Sequence, residues 1–300
     1  MDINKVTLEF YEYLISEKNC SPLTVDAYTR DMNLFTHALY LNNPNIDVEN
    51  ITTPMIRKYI NFMKDTQNYK ATTINRKINS LRSFFKFLIS QGYIISNPAA
   101  PVTAPKKPER IPIYLKEDDL KKLIEAPEKY SKDHKVRDKL ILETFIYTGI
   151  RRSELLHLNW IDVDFGLRVL SIKHGKGDKQ RNIPLNDILQ KDLWGYLQTR
   201  LPLKIQCLFI SDEGNRLSTT ALQQMFTRYI HLTGLSGKGY TIHKLRHSFA
   251  TMLIKRNVNL IAIQELMGHT DINSTKIYTH IDMRDLRQQI DKIIIFKKKE

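Results

Sequence analysis

Apolar residues recur at helical spacing through the first third of the chain. After Ser21-Pro22, the residues Val25, Tyr28, Met32, Phe35 and Leu39 fall three or four positions apart. That is the stripe of an amphipathic helix with one face on a core. Ser21 is placed to cap it, and Pro22 suits its first turn. Thr53-Pro54 opens another helix with Ile56, Ile60 and Met63 on one side. A longer helix is predicted from about 71 to 91, with Ile74, Ile78, Leu81, Phe85 and Leu88 inward and Gly92 as its stop. Its opposite side carries Arg76, Asn79, Ser80 and Ser83. Such a side is either a solvated face or a face laid in a DNA groove, where short polar and arginine side chains reach phosphates and bases.

The helical pattern then breaks. Residues 97–112 hold Pro98, Pro101, Pro105, Pro108 and Pro112, with Lys106, Lys107 and Arg110 among them. Proline at this density forbids a helix and predicts a semi-rigid extended connector. The expected division is a helical domain over 1–104, a proline-rich linker over 105–113 and a second domain over 114–300. In the second domain a helix is expected over 116–124 and another over 136–147, stopped by Gly149. Residues 168–173 alternate and are rich in β-formers. A glycine-bearing turn, His174-Gly175-Lys176-Gly177-Asp178-Lys179, follows, and the chain returns over 180–185, which reads as a β-hairpin. Helices resume over 218–231. The predicted class is mainly α with a small antiparallel β-sheet.

Charge narrows the function. The 300-residue chain carries a formal net charge of +14, which points to a polyanionic partner, most often nucleic acid. Its two cysteines, Cys20 and Cys207, lie far apart and suggest a reducing cytosol rather than a disulfide framework. No CxxC pair is present, and no run approaches the roughly 20 apolar residues of a membrane span. The opening MDINKVTLEFYEY has acids where a secretory leader has bases. A cytoplasmic, DNA-directed protein is expected.

The candidate chemistry concentrates in residues 241–280. His243 and Arg246 share one helix face a turn apart and can hold two oxygens of one phosphate. Gly268 follows the apolar run Leu260, Ile261, Ile263, Leu266, Met267 and reads as a helix C-cap that turns His269 back toward the same spot. Tyr278 offers an oxygen nucleophile. Upstream, TGIRRSEL places Arg151 at a helix N-terminus, which favours an anion. Glu154, one turn on, either orients a guanidinium or serves as a helix-cap partner. Lys176 stands between two glycines at the hairpin tip. This Gly-Lys-Gly lacks the spacing of a nucleotide-binding P-loop.

Arg151, Lys176, His243-x-x-Arg246, Gly268-His269 and Tyr278, in that order, resemble the tyrosine recombinases of the phage-integrase family, the Xer type in particular. TGIRRSEL, GKGDKQRNIPL, HKLRHSFAT, LMGH and YTH each look like their family counterparts, and the resemblance covers essentially the whole chain. It implies a SAM-like N-terminal core-binding bundle and a mixed α/β catalytic domain. It implies that Arg151 and Arg246 clamp the scissile phosphate, that His243 and His269 contact it, and that Lys176 protonates the departing 5′ oxygen. Tyr278 would form a 3′-phosphotyrosyl link to DNA. Arg76, Asn79, Ser80, Ser83, Lys106, Lys107, Lys179 and Arg181 are the candidate DNA contacts. The implied partners are a double-stranded DNA core site and a homotetramer joining two sites through a Holliday junction, with room for a partner recombinase or an activating translocase. A last helix over 283–296, with Leu286, Ile290, Ile293 and Ile294 on one side, would dock on a neighbouring subunit. No cofactor is implied, neither metal nor ATP. Three other readings compete: a DNA-binding protein without catalysis, a metal nuclease using His243, His247, His269 and His280, and a topoisomerase that reseals the same strand.

Overall fold

The computed structural model describes residues 1–41, 43–105, 113–173 and 180–268. Two compact units divide at Arg110 and Ile111.

The N-terminal unit is helical. Its elements are α1 (Ile3–Ser16), α2 (Pro22–Tyr40), α3 (Thr53–Asn61) and α4 (Ala71–Ser90). The Ser21 hydroxyl accepts from the Thr24 N–H, so the predicted cap is formed. Phe10, Met32, Phe35, Ile56, Ile78, Leu81, Phe84, Phe85 and Leu88 fill one core. The Phe10 and Phe84 rings meet edge to face at 5.3 Å. One turn of π-helix (Phe62–Thr66) carries α3 on and buries Met63.

A charged cluster is sealed beside this core. Asp31 on α2 is 1 % exposed and accepts from Lys77 Nζ at 2.8 Å and from the Arg76 guanidinium. Lys77 is itself buried, with its ammonium over the Tyr69 ring.

The second unit is built around α6 (Lys135–Thr148), which packs on α5 (Glu117–Tyr130), α8 (Asp187–Arg200) and α10 (Ile242–Lys255). Nearly every residue from Leu140 to Thr148 is buried, as expected of a helix covered on all sides. A short helix α7 (Arg152–His157) follows. Strands β1 (Val163–Asp164), β2 (Val169–Ile172) and β3 (Arg181–Pro184) then form an antiparallel sheet in the order β1-β2-β3. Leu170 pairs with Ile183, and both face the core. Among the described residues of this unit are also helices α9 (Thr219–Leu232) and α11 (Leu260–Met267).

The fold class matches the expectation, with three local differences. Helix α5 runs to Tyr130 rather than 124, because Ala126 and Pro127 also enter the core. Helix α8 was not anticipated. Its signals are the Asn186 cap and Leu189, Leu193 and Tyr196 at helical spacing. Strand β1 is too short to show alternation. Among the described residues, no helix is long and apolar enough to cross a membrane.

Gly149 fixes how α6 ends. Its φ is +60°, and a Cβ there would stand 2.3 Å from the Phe249 ring of α10. Only glycine admits that approach and that turn together.

The Asp31 cluster yields a stability prediction. Asp31→Ala should lower the stability of the N-terminal unit by about 3–5 kcal/mol, because Lys77 is left charged and buried without a carboxylate. Chemical denaturation of the intact chain, followed by the N-terminal tyrosines, checks it. A loss below about 1 kcal/mol would mean that water reaches Lys77.

Candidate active site

The site is assembled at the C-terminal end of α11. Gly268 has φ +61° and closes the helix, its N–H bonding back to the Gln264 and Glu265 carbonyls. The last carbonyls of a helix have no donor within it. Here each of three is taken by a different arginine. Leu266 O accepts from Arg181 Nε at 2.9 Å, Met267 O from Arg246 Nη2, and Gly268 O from Arg151 Nη2 at 3.0 Å. Cations at a helix C-terminus also complement its dipole.

The three arginines come from separate elements. Arg246 lies on α10 and is 8 % exposed. Its Nη1 donates to Gly149 O at 2.6 Å, so it bridges the glycine-capped ends of α6 and α11. Arg151 is the N-cap residue of α7. Arg181 leads β3, with only 9 % of its side chain exposed.

Glu154 joins two of them. Its Oε2 accepts the Arg151 backbone N–H at 2.7 Å, and its Oε1 accepts Arg151 Nη1 at 2.7 Å. Both sequence readings of Glu154 therefore hold, because one carboxylate caps α7 and orients the guanidinium. Arg181 adds a bidentate pair, Nη1 to Oε1 at 2.9 Å and Nη2 to Oε2 at 2.7 Å. Burial works against the Glu154 carboxylate, yet the bonds from Arg181 and Arg151 outweigh it and hold its pKa down at about 2. Arg216 anchors the other end of α7 by donating to Leu156 O at 2.8 Å and Leu158 O at 3.2 Å. Two arginines, Arg151 and Arg181, thus share one carboxylate, and Arg246 beside them bonds only neutral carbonyls, so the described cluster is positive.

His243 lies one turn before Arg246 on α10 and reaches solvent. Partial desolvation, then the charges of Arg152 and Arg246, lower its pKa. His247, one turn further on, is pushed down to about 4 by burial and by Lys244, Arg246 and His243. Both rings are therefore neutral at pH 7, and each neutral ring has one N–H and one lone pair. Among the described residues, no group of three or more His, Cys, Asp or Glu could hold a metal ion.

A cationic cluster built from an arginine at a helix start and an H-x-x-R pair is specific enough to compare with known proteins. Residues 114–285 match the phage integrase family, and residues 8–92 match the phage integrase N-terminal SAM-like domain. The chain belongs to the phage integrase family. It is 35% identical to tyrosine recombinase XerC of Thermodesulfovibrio yellowstonii, over 94% of each chain. It is 34% identical to tyrosine recombinase XerC of Natranaerobius thermophilus, over 95% of this chain and 97% of that one. Among solved structures, the XerH recombinase bound to palindromic difH substrate is similar, with 25% identity and a TM-score of 0.77 over 95% of this chain and 84% of that one.

Of the six residues with expected catalytic roles in this phage integrase family member, the structure describes Arg151, His243 and Arg246, and brings the two arginines to consecutive carbonyls. Lys176, His269 and Tyr278 lie outside the described residues, as do Lys106, Lys107, Lys179 and the segment 283–296. On α4, Asn79 and Arg76 are exposed and Ser83 is half-buried. Ser80, expected on the same open face, is fully buried. The helix turns 100° per residue, so position 80 falls between Lys77 and Phe84 on the packed side. Arg76 faces outward but is also engaged by Asp31. Arg181, expected on DNA, is directed inward onto Glu154 and Leu266. The period of two along β3, where Arg181 and Ile183 share a face, is the signal that could have placed it.

The titrations give an acid-side prediction. An unfolded histidine takes its proton near pH 6.5, whereas folded His247 does so near 4. Between those values the unfolded chain binds more protons, so stability should fall as pH drops from about 6.5 to about 4. Glu154 contributes in a lower window: its stabilisation is complete above its unfolded value and disappears as pH falls through about 2. Urea midpoints across pH 7 to 4 should slope less in His247→Gln than in the parent. Equal slopes would assign the loss to other groups.

Proposed function

We propose that this protein is a site-specific DNA recombinase that cuts and rejoins duplex DNA through a 3′-phosphotyrosyl intermediate, without metal or ATP. The observation that carries this reading is the pairing of Arg151 and Arg246 on the consecutive carbonyls Gly268 and Met267, in the motif order of a family whose named relatives are tyrosine recombinases.

The chemistry is one phosphoryl transfer run in both directions. Tyr278 Oη attacks the scissile phosphorus, and the bond to the 5′ oxygen breaks. Arg151 and Arg246 bind the non-bridging oxygens and stabilise the charge that builds in the pentacoordinate transition state. A phenol has a pKa near 10, so it needs a cationic neighbourhood and a proton acceptor. The lowered pKa of His243 supports its acting as that acceptor at neutral pH. Lys176 gives the proton to the leaving 5′ oxygen, and His269 adds a contact to the phosphate. A 5′ hydroxyl of the second DNA strand then attacks the phosphotyrosyl bond and releases Tyr278. The phosphodiester energy is kept in the covalent link, so the cycle requires no nucleotide.

DNA would lie against both units. In the N-terminal unit the contacts proposed are Arg76, Asn79 and Ser83, with Lys106 and Lys107 of the linker and Lys179 of the hairpin turn. Four protomers would hold two core sites, with the 283–296 segment reaching a neighbouring protomer. A partner recombinase or an activating translocase fits the same scheme.

A suicide duplex carrying the core site, drawn from a nicked site library, tests the reaction in the presence of EDTA. Parent protein should become covalently joined to the 3′ end on a denaturing gel, and Tyr278→Phe should not. Arg246→Lys should slow the joining by about 100- to 1,000-fold. Site-specific binding with no covalent band from the parent would replace this reading with a DNA-binding protein. Supercoil relaxation with no exchanged product would replace it with a topoisomerase.

A second test concerns assembly. Removing residues after 285 should leave binding of one protomer to a half-site intact and abolish tetramers and strand exchange in gel-shift and exchange assays. Full exchange by the truncated chain would remove the segment from the assembly.

A further inference from the structure

Arg181 opens β3 and is engaged entirely within the protein. A side chain that reads DNA presents its N–H groups to phosphate or base oxygens. Arg181 directs its Nε to Leu266 O at 2.9 Å, its Nη1 to Glu154 Oε1 at 2.9 Å and its Nη2 to Glu154 Oε2 at 2.7 Å. Its side chain is 9 % exposed, and the Glu154 side chain is 0 % exposed. The guanidinium also lies beneath the Gly268 turn. A Cβ on Gly268 would stand 3.0 Å from Arg181 Nη1 and 3.1 Å from its Cδ.

The position of Arg181 links three parts of the site. Glu154 Oε1 receives both Arg181 Nη1 and Arg151 Nη1, so the carboxylate that aims Arg151 is itself held by Arg181. Leu266 O belongs to the same helix end whose next two carbonyls hold Arg246 and Arg151. We infer that Arg181 is a positioning residue for strand cleavage: it locks Glu154 and the α11 terminus together so that Arg151 and Arg246 present one fixed pair of forks to the phosphate. The inference rests on the recombinase reading and deepens it. Lysine cannot replace the residue, because one ammonium cannot serve a carboxylate bidentately and reach Leu266 O in the same plane.

Its test separates positioning from DNA contact and from mere stability. The parent, Arg181→Ala and Arg181→Lys are compared for cleavage of the suicide duplex at saturating protein, for site affinity as a function of salt, and for melting temperature. Cleavage at saturation should fall about 100-fold in both variants, the loss expected when a reacting group shifts by about 1 Å. The salt slope of binding should not change. Added methylguanidinium should restore part of the cleavage by Arg181→Ala and none by Arg181→Lys, a rescue that a merely destabilised fold would not show. Amide exchange at Gly268 should quicken in Arg181→Ala, which reads the lock independently of chemistry. A salt slope lowered by about 0.9 with unchanged saturated cleavage would make Arg181 a phosphate contact and overturn the inference. So would full activity in Arg181→Lys, or unchanged exchange at Gly268. If Arg181→Ala fails to fold, the lysine variant and its exchange at Gly268 decide alone. A parent protein that forms no covalent complex sinks the recombinase reading, whereas a cleaving parent with cleaving variants sinks only the role of Arg181.

Discussion

A helix that ends in water leaves its last carbonyls to the solvent, but α11 ends against three guanidinium groups. Gly268 makes that possible, because its left-handed turn closes the helix within one residue and exposes Leu266, Met267 and Gly268 O in succession. The arginines come from β3, α10 and α7, which are far apart in sequence. Their convergence therefore requires that the sheet, the central α6 packing and the α11 turn all be correct together. The constraint is mutual: the orphan carbonyls need donors, and the buried guanidiniums need acceptors.

The identity of the acceptors matters for chemistry. A backbone carbonyl orients an arginine without cancelling its charge. Arg246 is aimed by Gly149 O and Met267 O, both neutral. Among the described residues, the one carboxylate bonded to these arginines is Glu154, shared between Arg151 and Arg181. Among the described residues, three guanidinium groups against one carboxylate leave an excess of positive charge. Had each arginine met its own carboxylate, the geometry could have been the same and the attraction for a phosphate would have been lost. Desolvation comes first in lowering the pKa values of His243 and His247, and of the three arginines only Arg246 adds to it, beside Arg152 at His243 and Lys244 and His243 at His247.

Much of this was legible in the sequence, and the reasons differ by residue. Ser21-Pro22, Gly92, Gly149 and Gly268 announce helix boundaries because capping and left-handed turns have strong residue preferences that act locally. His243 and Arg246 are paired by helical periodicity alone. The fate of Arg181 was not legible as a role: a basic residue after a hairpin reads as surface until its carboxylate partner is known, and Glu154 lies 27 positions away. Ser80 was misplaced for a related reason. A small polar residue on a basic helix looks external, yet its spacing from Lys77 and Phe84 puts Ser80 on the packed side. Helix α8 was passed over because Ile188 and Trp194 face outward on it and blur its apolar stripe.

Glu154 shows how one side chain can serve fold and function together without compromise. As a cap it fixes the first turn of α7, and as an acceptor it fixes Arg151 relative to that turn. A residue that only capped would leave the guanidinium to its own rotamers, and one that only paired would leave the helix start to fray. Because both bonds use the same buried carboxylate, rotation of α7 and reorientation of Arg151 become a single motion. Arg216 then resists that motion from the far end of the helix through Leu156 O and Leu158 O. Arg151 is thus set in space by backbone at Gly268, by Glu154, and by the pinned ends of its own helix. Such a group can bind a phosphate with little reorganisation of its own.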